Sequence, residues 1–182
     1  DADIPVFDQA QTGILGTLSP EDTKLHIVGH GSAGADHLLF KVASDTNVTV
    51  DLDRIATRLR QDGLSPDYRD IRLNACFSSC AGDDGGPSMG AQLRDALQGE
   101  GFEDVVVSGY PGSVLRHPKV LEDGRLHSVV ELQEGDAYVR RSETRERFGP
   151  ERDDASGGAH VAGKKQGYMF VPMVDEQTPD MI

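Results

Sequence analysis

The stretch Ile71-Arg72-Leu73-Asn74-Ala75-Cys76-Phe77-Ser78-Ser79 decides how the chain is read. Ile71, Leu73 and Ala75 alternate with the polar Arg72 and Asn74, the period of a β-strand with one buried face. At Cys76 the alternation stops, and small polar residues lead into Gly82, Asp83, Asp84, Gly85 and Gly86. A cysteine at the C-terminal edge of a strand sits where α/β sheets place their reactive groups. Upstream, Lys24-Leu25-His26-Ile27-Val28 forms a second strand that stops in the same way, at Gly29-His30-Gly31-Ser32-Ala33-Gly34. If the two strands lie side by side and parallel, His30 and Cys76 leave the sheet at one edge, a nucleophile next to a base that takes its proton.

The segments around these strands follow the same alternation of elements. Asp51 reads as a helix N-cap, with Leu52, Ile55, Ala56 and Leu59 on one face and Gly63 as the stop. Pro87 or Ser88 starts a second helix, with Met89, Leu93, Ala96 and Leu97 on its apolar face and Gly99 at its end. Residues 104–108 are apolar enough for a buried third strand. Strand, helix, strand, helix, strand predicts a parallel α/β arrangement with right-handed crossovers and helices on the sheet faces. Short strands are expected at 37–42 and 48–50, and Pro5 confines 4–7 to an edge. After Gly109, β-like runs at 112–115, 126–132 and 136–141 read as hairpins. Residues 142–166 read as a polar mobile loop, 166–171 as a final strand and 175–182 as a frayed tail.

Composition narrows the function classes. A chain of 182 residues is expected to form one domain with a real core. Its net charge of −13 opposes general nucleic-acid binding, which needs a basic face. No apolar run approaches the roughly 18 residues of a membrane span. The two cysteines, Cys76 and Cys80, make no disulfide framework and are too few for a Cys-rich zinc site, and no metal is expected. Cys80 reads as a free, buried thiol.

The chemistry concentrates on the two strand ends. The thiolate, not the thiol, is the nucleophile, and a free cysteine has a pKa of about 8.5. The imidazole of His30 and the N-terminus of the helix after Cys76 would both favour thiolate. Gly31 has the backbone freedom to aim its N–H inward, and the Cys76 N–H is the natural second donor of an oxyanion hole. Asp8, Asp22 or a backbone carbonyl would orient His30. His26 alternates into its strand and reads as packed, while His37, His117, His127 and His160 have no partner motif. Ser32 fails as a serine nucleophile, because His30 stands where the elbow needs its first glycine.

His30-Gly31 after one apolar strand and Ala75-Cys76 after the next, 46 residues on, resemble the caspase-like cysteine peptidases. That group includes caspases, gingipains, clostripain, separase and the self-processing domains of bacterial toxins. Asn74 in place of Gln, and Phe77 after the cysteine, depart from the caspase signature. Val28-Gly29-His30-Gly31, the helix from Asp51, the strand ending at Cys76 with Ser78 and Ser79 close by, the glycine-rich loop, and the helix and Val-rich strand over 90–108 follow an order of their own. That order is similar to the self-processing cysteine protease domain of RTX-type and large clostridial toxins, over residues 24–110.

The resemblance implies a caspase-like α/β fold, a mostly parallel central sheet flanked by helices with a C-terminal β-hairpin or flap region. The single domain would divide into an arm (1–23), a catalytic core (24–110) and a β-flap with tail (111–182). It implies a cysteine endopeptidase with a His30–Cys76 dyad acting on protein or peptide substrates, its own parent chain included. Such a protein is secreted from a bacterium, as a toxin domain or an effector, and acts in the host cytosol. It further implies cleavage after leucine and activation by inositol hexakisphosphate held by Lys and Arg of the flap. Arg140, Arg141, Arg145, Arg147, Lys164 and Lys165 are the basic residues there, and they would converge if the hairpin and the last strand pair. Where the toxin domains run into Arg-Ser-Ser after this strand, the chain has Gly109-Tyr110-Pro111. A catalytically inactive caspase-like module that binds a partner through the same fold is the other function class.

Overall fold

Two strands with matching alternation can hide their apolar faces together, and the chain does so. The computed structural model describes residues 6–7, 9–41, 47–115, 117–132, 138–150 and 166–170, with the backbone alone at 6–7, 9–12, 41 and 166–170. In chain order its elements are β1 (Val6–Phe7), a 3-10 helix (Gln9–Thr17), β2 (Thr23–Val28), β3 (His37–Lys41), β4 (Asn47–Asp51) and α1 (Leu52–Gln61). Then come β5 (Asp70–Asn74), α2 (Met89–Gly99), β6 (Val106–Gly109), β7 (Ser113–Val114), β8 (Lys119–Val120) and β9 (Leu126–His127). The last are β10 (Val129–Glu131), β11 (Tyr138–Arg140), α3 (Arg141–Thr144), β12 (Glu146–Phe148) and β13 (Gln166–Phe170).

The main sheet runs β1-β13-β2-β5-β6-β12, parallel throughout except for the antiparallel edge strand β12. β2 and β5 are neighbours as expected, with Leu25 opposite Ile71 and Ile27 opposite Leu73. All four side chains are fully buried, worth about 1.5–3 kcal/mol each. Over this face lie Leu52, Ile55, Ala56 and Leu59 of α1 and Met89, Leu93 and Leu97 of α2. The two helices pack on each other and share one core, so both cover the same face of the sheet rather than one face each.

Helix ends follow two routes. Ser88 caps α2, its Oγ accepting from Ala91 N–H at 3.3 Å. Asp51 stands at the N-cap of α1 but makes no side-chain cap bond; at the first helical position the Leu52 N–H bonds Asp36 O at 2.9 Å. Among the described residues, no helix is long and apolar enough to cross a membrane.

The C-terminal part differs most from expectation. β7, β10 and β11 do form an antiparallel sheet, and β8 pairs with β9. Within residues 142–148, expected in a mobile loop, most of α3 and all of β12 form instead, and β12 closes the β6 edge with Phe148 opposite Val107. The final strand β13 inserts between β1 and β2, not against the hairpin.

The second face of the sheet is polar, and sealed at His26 and Ser108. The registers align His26 of β2, Arg72 of β5, Ser108 of β6 and Arg147 of β12 in one row. His26 is 7% exposed, and its Nδ1 lies 2.8 Å from Asn74 Nδ2. That amide donates to Nδ1, so the ring proton sits on Nε2, which has no partner among the described residues. Burial first, then the charges of Arg72 and Lys24, push His26 down to about 4; Asp70 and the Asn74 bond oppose this more weakly.

A base whose folded pKa is depressed binds fewer protons folded than unfolded. His26 therefore leaves stability untouched above about pH 6.5 and removes it as pH falls toward 4, by about 3 kcal/mol in full. Thermal melts from pH 7 to 4 should show His26→Gln losing less stability on acidification than the wild type. Parallel curves for the two proteins would refute this role of the buried imidazole.

Candidate functional site

The site is built where β2 and β5 end. Val28 pairs with Asn74, and Gly29 N–H reaches Asn74 O at 3.5 Å. Two residues beyond that last pair stand His30 on one strand and Cys76 on the other, at the same edge. A Cβ on Gly31 would lie 2.9 Å from Met89 Sδ and 3.0 Å from both Ala75 Cβ and Cys76 O. Glycine lets the His30 loop press on Ala75 and Cys76 without the few tenths of an ångström of displacement that a Cβ would demand. Farther out, Gly34 N–H bonds Cys80 O at 3.1 Å, and Gly34, at φ +68°, packs directly on the Gly82 backbone. Gln92 of α2 clamps the same loop, its amide donating to Gly34 O at 3.1 Å and Ala35 O at 3.3 Å, and also to Pro87 O just before α2 at 2.9 Å.

Cys76 opens a turn, not a helix. α2 begins only at Met89, so the expected helix terminus is not at the thiol. Phe77 takes φ +55°, the left-handed region that non-glycine residues rarely adopt. Such strain persists only where surroundings overdetermine it. Here Phe77 N–H bonds Gly112 O at 2.9 Å, Ser79 N–H bonds Tyr110 O at 3.1 Å and Gly90 N–H bonds Ser78 O at 2.8 Å. The buried Ser78 hydroxyl donates to Leu73 O at 3.2 Å and accepts from Tyr110 N–H at 3.0 Å. One side chain thus ties the nucleophile turn to the strand before it and to the loop after β6.

The expected oxyanion donors are free to act. Neither the Gly31 nor the Cys76 N–H has a hydrogen-bond partner among the described residues. His30 is exposed; its backbone bridges Leu39 at 2.8 and 2.9 Å, and its imidazole has no partner among the described residues. Asp22 cannot orient it, since it precedes β2 at the far end of the strand and its carboxylate accepts from Ser19 at 3.1 Å. Asp8 lies outside the described residues.

Cys80 is free as expected but half-buried rather than buried, with Sγ 3.5 Å from Pro111 O. Burial, and then the charge of Glu146, push its thiol up, which keeps it protonated and unreactive at neutral pH.

The pairing of hairpin and last strand that would bring the basic residues together does not form, because β11 and β13 belong to different sheets. Arg140 pairs with Asp123 at 2.6 Å and Glu143 at 3.6 Å. Arg141 turns inward to donate to Leu115 O at 2.6 Å and lies over the Tyr110 ring. Arg145 sits by Arg72 and Arg147; burial and then those two charges push its guanidinium down, against a weaker pull from Asp70 and Tyr110. Lys164 and Lys165 lie outside the described residues. Sequence reading passed over Ser78, Gln92, Tyr110 and Arg72. Only Ser78 carried a signal, as a serine within the turn; the others act through contacts distant in the chain.

Ser78→Ala removes one hydroxyl and strands a buried N–H and a buried C=O, which should lower unfolding free energy by about 1–3 kcal/mol. Urea denaturation measures it, and an unchanged midpoint would show that the two groups find other partners.

A search of curated proteins finds no match to the chain. The model of the peptidase C80 family matches residues 8–129, two thirds of the chain, spanning both strand ends and both long helices. With the paired strand ends and the unclaimed N–H groups beside Cys76, that match identifies the chain as a member of the peptidase C80 family, a cysteine-type endopeptidase.

Proposed function

We propose that Cys76 is the nucleophile and His30 the general base of this peptidase, with the Gly31 and Cys76 N–H groups as its oxyanion hole. The observation that carries the reading is the close approach of Gly31 to Cys76, where a Cβ would lie 3.0 Å from the Cys76 carbonyl oxygen. His30 takes the Sγ proton, and the sulfur attacks the substrate carbonyl carbon. Charge developing on the carbonyl oxygen meets two backbone donors that have no bond to give up among the described residues. The C–N bond breaks as the imidazolium returns its proton to the departing amine. Water, deprotonated by the same imidazole, then attacks the thioester and releases the second product. The exposed imidazole swings between these tasks without breaking a hydrogen bond to the described residues.

The setting we infer is a self-processing toxin domain or a secreted bacterial effector, cutting its parent chain or another protein in the host cytosol. Activation by inositol hexakisphosphate belongs to the same reading. Its support is Arg145 held beside Arg72 and Arg147, three like charges, with Asp70 3.5 Å from Arg72. A polyphosphate would relieve that repulsion, each Arg taking phosphate oxygens in a fork. Lys164 and Lys165 belong to the same C-terminal stretch, as do Arg140 and Arg141. Because Arg145 and Arg147 lie in the segment that runs from Arg141 into β12, binding there would order the chain flanking the Cys76 turn.

Cys76→Ala and His30→Ala should each abolish proteolysis with the melting temperature preserved, while Cys80→Ala keeps near-wild-type rates. Gly31→Ala should cut the rate at least tenfold (on the order of 10²-fold for a misplacement of about 1 Å). Full activity in Cys76→Ala would sink the assignment.

Inositol hexakisphosphate at a hundredfold excess over Kd should stabilise the fold by about 2.7 kcal/mol and raise the cleavage rate. Arg145→Ala and Arg147→Ala should weaken its binding in calorimetry at physiological salt. No stabilisation, together with full activity without the ligand, would leave the peptidase reading standing and remove the switch.

A further inference from the structure

The loop that carries the Gly31 N–H hangs between two anchors. At its start, the His30 backbone bridges Leu39 at 2.8 and 2.9 Å. At its far end, Gly34 N–H reaches Cys80 O at 3.1 Å, and the carbonyls of Gly34 and Ala35 both accept from the Gln92 amide, at 3.1 and 3.3 Å. Pro87 O, just past the glycine-rich stretch that follows the Cys76 turn, accepts from the same nitrogen at 2.9 Å. Three carbonyls around one nitrogen fix which end of the amide faces them, since only its NH2 can donate. Gln92 stands one helical turn along α2 from Met89. The Sδ of Met89 lies 2.9 Å from where a Cβ on Gly31 would be. The first turn of α2 therefore meets the loop twice, by contact at Gly31 and by hydrogen bonds at Gly34 and Ala35.

Glycines at 31 and 34 give this loop more backbone freedom to lose than other residues would. The pairing of β2 with β5 stops short of it, at Val28 and Asn74. The direction of the Gly31 N–H is thus set by the anchors on either side, and an oxyanion donor acts only when it is aimed within hydrogen-bond reach of the developing charge. The His30 backbone, by contrast, is tied to β3 ahead of both glycines. Resting on the assignment of Cys76 as nucleophile and of the Gly31 N–H as oxyanion donor, we propose that Gln92 is a positioning residue: by holding the carbonyls of Gly34 and Ala35 it aims the Gly31 N–H at the oxygen of the attacked carbonyl. Its amide is committed to these backbone carbonyls, so it acts through the loop and not on the substrate. A Gln92 that only braced the start of α2 would change stability and leave the chemistry of the folded enzyme as it was.

The test compares the full chain with Gln92→Met, which keeps the length of the side chain and loses its donor. A fluorogenic peptide amide with leucine before the scissile bond serves as substrate, with and without inositol hexakisphosphate. In the variant kcat should fall on the order of 100-fold with KM little changed, as for an interaction made only in the transition state. A peptide aldehyde of the same sequence, whose adduct with Cys76 puts an oxyanion in the same hole, should bind more weakly by a similar factor. Iodoacetamide, which needs the thiolate but no oxyanion hole, should alkylate Cys76 at the wild-type rate and with the wild-type pH profile, read at that residue by mass spectrometry. Gln92→Lys, whose ammonium can donate to the same carbonyls, should recover part of kcat. Gln92→Ala carries the same test if the Met variant does not fold, alanine being the best helix former. Wild-type kcat in a folded Met or Ala variant, a fall in kcat with aldehyde affinity unchanged, or a parallel fall in alkylation each overturns the inference, while Cys76-dependent cleavage leaves the mechanism intact. No cleavage by the wild type, with Cys76 unreactive to iodoacetamide, overturns the nucleophile assignment and this inference with it. The aldehyde and alkylation arms need no turnover, so they decide the matter even where the peptide is cleaved too slowly to measure.

Discussion

Everything at the site hangs on the parallel pairing of β2 with β5. Their register places Leu25 on Ile71 and Ile27 on Leu73, and the strands run out together at Val28 and Asn74. A slip of one residue would turn those buried side chains onto the face that carries His26, Arg72 and Asn74. The relative position of His30 and Cys76 is therefore held by hydrophobic burial in the sheet beneath them, and by glycine contacts above it. Among the described residues no hydrogen bond joins the two side chains, and none is needed to keep them at one edge.

The two reacting groups are held very differently. The Cys76 turn is fastened to β5, to the loop after β6 and to α2, with Ser78 bonding in two directions and Phe77 accepting a left-handed backbone. His30 is fixed through its backbone alone, at the bridge to Leu39. That division suits a covalent mechanism. The sulfur must meet a carbonyl carbon along a narrow approach, whereas the imidazole must serve the thiol, the leaving amine and a water in turn.

The sheet also separates two kinds of work by face. One face carries the apolar core under α1 and α2 and supplies the stability. The other carries a row of His26, Arg72, Ser108 and Arg147, with Arg145 close by. A neutral His26 beside Arg72 and Lys24 is what such a face requires, since a further charge of the same sign, buried there, would be destabilising. The segment from Arg140 to Phe148 connects this polar face with the Cys76 turn through Arg141, so the charges gathered there bear on the reacting centre.

The sequence by itself determined the elements whose signals are local and periodic. β2 and β5, α1 and α2, and the glycine-flanked His30 and Cys76 were all legible, because alternation, helical spacing and chain breakers act over a few residues. Its reading also reached the family, through the order of short motifs along the chain. The tertiary structure alone decided which face each helix covers, that β13 enters between β1 and β2, and that the charged Glu146-Arg147-Phe148 is an edge strand. Three residues with two charges carry no strand signal; the unpaired edge of β6 supplies it. Ser78, Gln92 and Arg141 owe their roles to partners far off in sequence, Tyr110, Gly34 and Leu115 among them. Such contacts exist only once the chain has closed on itself, and no local pattern of side chains encodes them.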